Sequence, residues 1–238
     1  MTFDVPAVKA SFSGTLSAEG SQVAGTWSQP GLADTPLTFT RGSEAAQGQP
    51  PARPQTPKPP FPYQTQDVAF DNPVEQGVHL SGTLTLPPGK GPFPAAVMIT
   101  GSGPQDRDET ILGHKPFAVI ADYLTRRGIA VLRFDDRGVG QSTGNYGAAT
   151  SADLATDANA AADYLMTRPD IRHDAIGFIG HSEGGMIGPI AMAGNPKIAF
   201  LVMMAGPGTG LEQLMLSQRR LVGSQMGQSE LALDRAEP

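Results

Sequence analysis

The chain has 238 residues, a net charge of −6 and 39% hydrophobic residues, a balance typical of a folded globular protein rather than a disordered segment. It has no run rich in Lys and Arg, which argues against nucleic acid as a partner, and no apolar run of the roughly 18–20 residues that span a bilayer. Cysteine is absent, which excludes disulfides, thiolate metal sites and a cysteine nucleophile.

The first 41 residues predict a small β meander. Alternating apolar residues indicate three strands, over 7–16, 22–28 and 36–41. The tetrapeptides that begin at Gly14 and Gly25 read as two copies of one strand motif. Because three such strands bury little surface and are marginal alone, we interpret residues 1–41 as the remnant of an N-terminal β accessory domain.

Residues 42–65 predict a linker. Seven prolines lie between Pro50 and Pro62, and such a run favours the extended polyproline II conformation. The simplest interpretation is a semi-rigid spacer. The alternative is a ligand for a module that binds proline-rich segments.

From residue 66 the pattern changes to strands that alternate with helices. Six strands are predicted, the first two antiparallel, over 67–70, 78–86, 95–100, 129–134, 175–179 and 198–204. Four helices are predicted, over 116–127, 151–168, 183–193 and 211–233. Ser151 is the predicted N-cap of the second helix, and Gly223 and Gly227 are expected to interrupt the fourth. The alternation predicts an α/β fold, in which a mostly parallel sheet carries helices on both faces.

The strongest indication of chemistry is the pentapeptide Gly180-His181-Ser182-Glu183-Gly184, which joins a predicted strand to a predicted helix. A serine at such a turn is held clear of its own backbone and can act as a nucleophile, and the turn is too sharp for side chains at the flanking Gly180 and Gly184. The alternative is a glycine-rich helix start that packs tightly on a strand. We predict Ser182 as the nucleophile.

A second match to the same G-x-S-x-G pattern surrounds Ser142. This serine lies well beyond the preceding strand, inside a loop that continues before any helix begins. It therefore lacks the strand–turn–helix context that lifts a nucleophile above the sheet edge. We treat the Ser142 match as one of chance.

The loop after strand 95–100 predicts the second part of the site. Attack on an ester or amide carbonyl creates an oxyanion, which needs two N–H donors already in place. The amide of Glu183 is one expected donor, and the amide of Ser102 or Gly103 is the other. A phosphate-binding loop is the alternative, but the segment lacks G-x-x-x-x-G-K-[ST] and has Asp106 where a dinucleotide fingerprint has its third glycine.

Two charged clusters lie in the loops at this edge of the sheet, over 106–108 (Asp-Arg-Asp) and 135–137 (Asp-Asp-Arg). Open α/β sheets place their sites at the carboxyl ends of the strands, so both clusters are near the predicted site. We interpret them as ion pairs that brace the loops rather than as catalytic groups.

These motifs together resemble the α/β-hydrolase superfamily, and most of all a bacterial esterase group related to serine aminopeptidase-like and dienelactone hydrolase-like proteins. The resemblance covers about residues 66–210 and rests on four segments in order, 91–95, 99–108, 133–140 and 180–185. It implies a partial α/β-hydrolase core over 66–210, with its last strands missing, and the start of a helical cap over 211–238. It also implies a serine hydrolase that cleaves carboxylic esters through an acyl-enzyme.

In this family the nucleophile is followed by an acid and then a histidine, yet no histidine follows Ser182. Of the four histidines, His114 lies nearest the predicted oxyanion loop and is the one local substitute for a base, although bracing of a helix start is the preferred interpretation. The resemblance therefore implies a chain truncated at both ends. The triad Asp and His would lie outside it, and this chain alone would be inactive or very weak.

Aminopeptidase-like amide hydrolysis stays open as a second activity, and a non-catalytic pseudoenzyme or binding protein as a third reading. We expect a small-molecule ester as substrate, with no cofactor, metal, nucleic acid or membrane as partner. The apolar strand 198–204 is expected to leave an exposed sheet edge through which the chain self-associates. The first residues lack the regions of a signal peptide, the sequence does not specify a compartment, and a secreted or periplasmic parent is compatible with it.

Overall fold

The computed structural model describes residues 1–5, 9–30, 33–41 and 53–226. The chain divides into two compact units, one made of Met1–Pro51 with Thr209–Pro238 and the other of Ala52–Gly208. Residues 42–52 of the predicted linker and the predicted interruption at Gly227 lie outside the described residues. None of the described helices is long and apolar enough to cross a membrane.

The first unit contains a four-stranded antiparallel sheet in the order β1-β2-β3-β4. The strands are β1 (Thr2–Val5), β2 (Ala10–Leu16), β3 (Gln22–Ser28) and β4 (Thr35–Thr40). The sequence predicted three of them and missed β1, whose four residues are too few to show an alternating pattern. Phe3 of β1 stacks on Phe12 of β2, with ring centroids 5.2 Å apart, and this contact between strands explains why so short a segment pairs.

The repeated strand motif has a steric basis. Gly14 and Gly25 face each other across β2 and β3, and a Cβ on either would lie 2.6 Å from the ring of Phe12. The two glycines therefore leave room for the buried Phe12 side chain, which lies across them.

The second unit contains a six-stranded mixed sheet in the order β10-β9-β7-β8-β6-β5. Its strands are β5 (Gln64–Asp71), β6 (His79–Leu86), β7 (Phe93–Ile99), β8 (Ala130–Phe134), β9 (Ile171–His181) and β10 (Phe200–Met204). The predicted pairing of β5 with β6 is antiparallel, β6 pairs antiparallel with β8, and the other pairs are parallel. The predicted fold class, an α/β fold with a mostly parallel sheet preceded by a β meander, is confirmed.

Helices cover both faces of this sheet. They are α1 (Pro116–Thr125), α2 (Ser151–Met166) and α3 (Gly184–Ala193), whereas the helix α4 (Leu211–Gln225) belongs to the first unit. Residues of α2 and α3 pack in the larger apolar core with β6 to β9, whereas Phe117 and Ala121 of α1 pack in a smaller core with Met98 of β7 and Val131 of β8. The two cores are the two faces of one sheet.

Three local predictions are corrected. The N-cap of α2 is Thr150 and not Ser151, because Thr150 Oγ1 accepts from the amide of Asp153 while the Asp153 carboxylate accepts from the amide of Thr150. Helix α4 continues through Gly223, since a single glycine weakens a helix without ending it. Strand β9 begins at Ile171 rather than at 175, because a bulge opposite Phe93 lets the polar start of the strand pair.

Candidate active site

The turn between β9 and α3 carries Ser182 at the carboxyl edge of the sheet. Ser182 has φ of +52°, in the left-handed region that non-glycine residues seldom adopt. Its amide donates to the carbonyl of Met204 at 2.9 Å, and its own carbonyl accepts from the amide of Gly185 at 2.9 Å. The neighbouring strand and the first turn of α3 therefore hold the serine in a strained conformation.

The glycines that flank Ser182 are sterically required. A Cβ on Gly180 would lie 2.1 Å from the carbonyl oxygen of Gly184, and a Cβ on Gly184 would lie 2.3 Å from that of Ile99. Both contacts are with backbone atoms, which cannot rotate away as a side chain can. Any side chain at either position would push α3 away from the strands beneath it.

Ser142, in the second match to the motif, is a structural residue. It is 6% exposed, its Oγ donates to the carbonyl of Asp135 at 2.8 Å, and the same oxygen accepts from the amide of Ser81 at 3.0 Å. A hydroxyl that is buried and paired twice is not available to a substrate, in agreement with the interpretation of this match as chance.

The loop after β7 lies against the turn that carries Ser182. A Cβ built on Gly101 would be 3.2 Å from Cβ of Ser182, so the two backbones are in close contact. The amide of Gly101 donates to Oε1 of Glu109 at 2.7 Å, and the amide of Gly103 donates to the hydroxyl of Tyr146 at 3.0 Å.

The amides of Ser102 and Glu183 are both free at this edge. Among the described residues, neither the amide of Ser102 nor that of Glu183 has a hydrogen-bond partner. Ser102 is exposed, and Glu183 precedes the first turn of α3, where backbone donors are unpaired by geometry. Both amides can therefore donate to a bound group.

The charged clusters hold the loops to each other. Arg107 pairs with Asp135 at 2.6 Å and Arg137 with Asp157 at 2.7 Å, which agrees with the interpretation of these clusters as bracing. Asp136 accepts from Thr100 Oγ1 at 2.8 Å and from the amide of Gln105 at 2.9 Å. Burial raises the pKa of Asp136 to about 7, although these two donors act in the opposite direction.

No histidine serves Ser182 among the residues that the structure describes. Each of the four imidazoles has another partner: His79 with Asp71, His114 with Gln55, His173 with the carbonyl of Arg168, and His181 with Glu109. His114, the local substitute considered from the sequence, bonds Gln55 Nε2 at 2.9 Å. In the described part of the chain, no group of three or more His, Cys, Asp or Glu side chains is arranged to hold a metal ion.

Sequence reasoning missed Glu109 and Tyr146. Glu109 is 6% exposed and its Oε1 lies 2.8 Å from Nδ1 of His181, a contact that joins the loop after β7 to the turn at Ser182. Its position one residue after the charged cluster gave no periodic signal. A glutamate with φ of +51° in a glycine-rich loop is visible only in three dimensions.

Comparison with known proteins agrees with this architecture. The family described as "Serine aminopeptidase, S33" matches residues 115–229. The chain is similar to esterase EstD of Thermotoga maritima, with 37% identity over 145 residues that cover 61% of this chain and 34% of the relative. It is also similar to 2,6-dihydropseudooxynicotine hydrolase of Paenarthrobacter nicotinovorans, with 28% identity over 56% of this chain and 34% of the relative. The chain thus spans about a third of the length of these curated relatives.

Solved structures show the same fold. An esterase of Pyrococcus furiosus superposes with a TM-score of 0.54 at 20% identity, covering 72% of this chain and 60% of that one. A hypothetical protein of Pseudomonas aeruginosa gives 0.52 at 24% identity, covering 70% and 56%. At these identities the likeness speaks for the fold alone.

The sheet order, the helices on both faces and the strained serine between two glycines define an α/β-hydrolase fold. The chain has this fold, and the resemblance to serine aminopeptidase-like and esterase proteins read from its motifs is confirmed.

Proposed function

We propose that this chain is the nucleophile-bearing part of a serine hydrolase that cleaves carboxylic esters through an acyl-enzyme on Ser182. The observation that carries the proposal is the strained φ of Ser182 at a strand–helix turn whose neighbouring amides, of Ser102 and Glu183, are unpaired. Backbone strain at a site that the fold holds in place is a recurrent property of functional residues.

The chemistry follows from these positions. Oγ of Ser182 attacks the carbonyl carbon of the ester, and the carbonyl oxygen becomes an oxyanion that accepts from two backbone amides. The alcohol then leaves, and water releases the acid by the reverse use of the same groups. Glu183 supplies one amide, and of the two alternatives for the other, Ser102 is favoured because the amide of Gly103 already donates to Tyr146.

Attack also needs a general base, since the serine hydroxyl is protonated at neutral pH. The four histidines of the chain are all engaged away from Ser182 among the described residues. We therefore propose that a histidine and its orienting acid come from outside the described residues.

Ester cleavage is the first choice of reaction because EstD, at 37% identity, is named an esterase. Amide hydrolysis is the second, because the matching family is described as serine aminopeptidase. Both reactions use the same nucleophile and oxyanion donors. Turnover of a p-nitrophenyl ester against an aminoacyl p-nitroanilide separates them, and we expect the ester to be cleaved faster.

The test is labelling by a fluorophosphonate probe in the protein as its gene encodes it. We expect labelling of the wild type and none in Ser182→Ala. Ser142→Ala is the matched control, because it removes a serine from the same pattern and should keep labelling while lowering the melting temperature. Absence of labelling in a folded wild type would overturn the proposal and favour a non-catalytic binding protein.

A further inference from the structure

In the turn Gly101-Ser102-Gly103, the backbone amides alternate between paired and free. The first and third amides each donate to a side chain, at 2.7 Å and 3.0 Å, whereas the middle amide has no partner among the described residues. Gly101 is buried and Ser102 is exposed, so the free donor is also the accessible one. Two acceptors from elsewhere in the chain create this pattern.

The first acceptor is Glu109. Its Oε1 accepts from the amide of Gly101 at 2.7 Å and lies 2.8 Å from Nδ1 of His181, the residue before the nucleophile. A carboxylate is an acceptor, so the imidazole presents its N–H to it. The backbone of Glu109 is itself held in place, because its amide donates to the carbonyl of Asp106.

Glu109 therefore contacts both segments that form the site, the loop after β7 and the end of β9. One oxygen atom joins the loop after β7 to the end of β9, where the two backbones are already in close contact at Gly101 and Ser182. The residue is 6% exposed, so water competes little with either bond.

The second acceptor is Tyr146, from the loop between β8 and α2. It begins the short 3₁₀ turn Tyr146–Ala148, which the side chain of Asn145 caps by accepting from the amide of Gly147 at 3.0 Å. Its hydroxyl accepts from Gly103, and its ring packs against the larger apolar core. The packing of the ring therefore holds the hydroxyl in place at Gly103, as Glu109 does at Gly101.

We propose that Glu109 and Tyr146 are positioning residues that select the amide of Ser102 as the oxyanion donor by occupying the amides on either side of it. The inference rests on the proposed function of Ser182. Neither side chain acts on the reacting atoms. Glu109 fixes the distance between the turn and the nucleophile, and Tyr146 prevents Gly103 from offering a competing donor.

The first test is kinetic, on the protein as its gene encodes it. A misplacement of about 1 Å costs roughly a hundredfold in rate, so we expect kcat for a p-nitrophenyl ester to fall by roughly 10- to 100-fold in Glu109→Ala and Tyr146→Phe. KM should change by less than about twofold, since the lost stabilisation belongs to the transition state. Glu109→Gln keeps an accepting oxygen and should recover most of the loss.

Tyr63→Phe is the matched control, because it removes a phenol hydroxyl that donates to Asp122 at 2.8 Å beside α1. Its kcat should equal that of the wild type. Equal kcat in Glu109→Ala and the wild type, or a Glu109→Gln as slow as Glu109→Ala, would overturn the inference.

The second test does not depend on activity. In amide hydrogen exchange we expect Gly101 and Gly103 to be protected and Ser102 to exchange freely in the wild type. Glu109→Ala should release Gly101 alone, and Tyr146→Phe should release Gly103 alone. Unchanged protection in these variants overturns the inference, whereas equal ester turnover by Ser182→Ala and the wild type would instead remove the proposed function.

Discussion

At the scale of single residues, the site depends on glycines at positions where the backbone leaves no room for a side chain. Gly184 lies so close to the end of β7 that a Cβ would be 2.3 Å from the carbonyl of Ile99 and 2.6 Å from that of Thr100. The first turn of α3 can therefore approach the strand closely enough to leave the Glu183 amide at the sheet edge. Substitution of this residue is expected to affect stability and the site together.

We expect Gly184→Ala to lower the free energy of unfolding by about 1–3 kcal/mol, because the added methyl group overpacks a backbone contact. Gly194→Ala is the control, since Gly194 has φ of −87° and an added Cβ there would be 3.7 Å from its nearest neighbour. The free energy of unfolding of that variant should equal that of the wild type or exceed it by up to about 1 kcal/mol. Urea unfolding measures both, and equal midpoints for the two variants would contradict the steric account.

At the scale of elements, the loops after β7 and β8 are joined by Asp136, which is buried and accepts from Thr100 and Gln105. Its pKa is raised to about 7 in the fold, against 3.8 for the free side chain, with burial as the first cause. A raised pKa means that the folded state holds the proton more tightly. The resulting stability is complete below about pH 4 and is lost as pH rises through about 7.

The wild type should therefore lose stability as pH rises from 5 to 8, whereas Asp136→Asn has no such carboxyl to ionise. We expect the free energy of unfolding of Asp136→Asn to increase relative to that of the wild type by about 2 kcal/mol over this range. Asp174→Asn is a control in which the pH dependence should have the opposite sign, because Arg172 holds the pKa of the exposed Asp174 carboxyl below its usual value. Its contribution is present at high pH and is lost only as pH falls through the lowered value. Denaturant unfolding at several pH values measures both, and parallel curves for the wild type and Asp136→Asn would refute the assignment.

The same elements show how far the sequence could go. Periodicity located every strand of the second unit and its three helices, because their apolar faces are continuous and their turns contain Gly or Pro. Glu109 and Tyr146 could not be found that way. Their partners Gly101 and Gly103 are 8 and 43 residues away, and only the folded loops bring the pairs together. The start of β9 was missed for another reason, because the polar residues 172–174 break the apolar pattern of the strand.

At the scale of the whole molecule, the mixed sheet has an apolar strand at one edge. β10 pairs with β9, and no other described strand lies on its far side. Val202 and Met203 are each 45% exposed there. An unpaired edge of this kind offers a row of backbone donors and acceptors to another chain.

We expect the 238-residue chain to self-associate through this edge, and Val202→Lys to weaken the association, because a charged side chain on an edge strand disfavours pairing. Val74→Lys is the control, since Val74 is 69% exposed outside any strand. Sedimentation velocity over a range of concentrations measures the effect. A wild type that stays monomeric throughout, or equal association in the two variants, would contradict this prediction.

The Glu109 carboxylate, which joins the loop after β7 to the end of β9, also has a consequence for engineering. Position 181 precedes Ser182, the proposed nucleophile, and its imidazole shares an oxygen of Glu109 with the backbone of the loop after β7. We therefore expect a library that randomises residue 181 alone to disturb that loop in most of its members. Residues 109 and 181 should be varied as a pair, so that each variant can rebuild the contact between them.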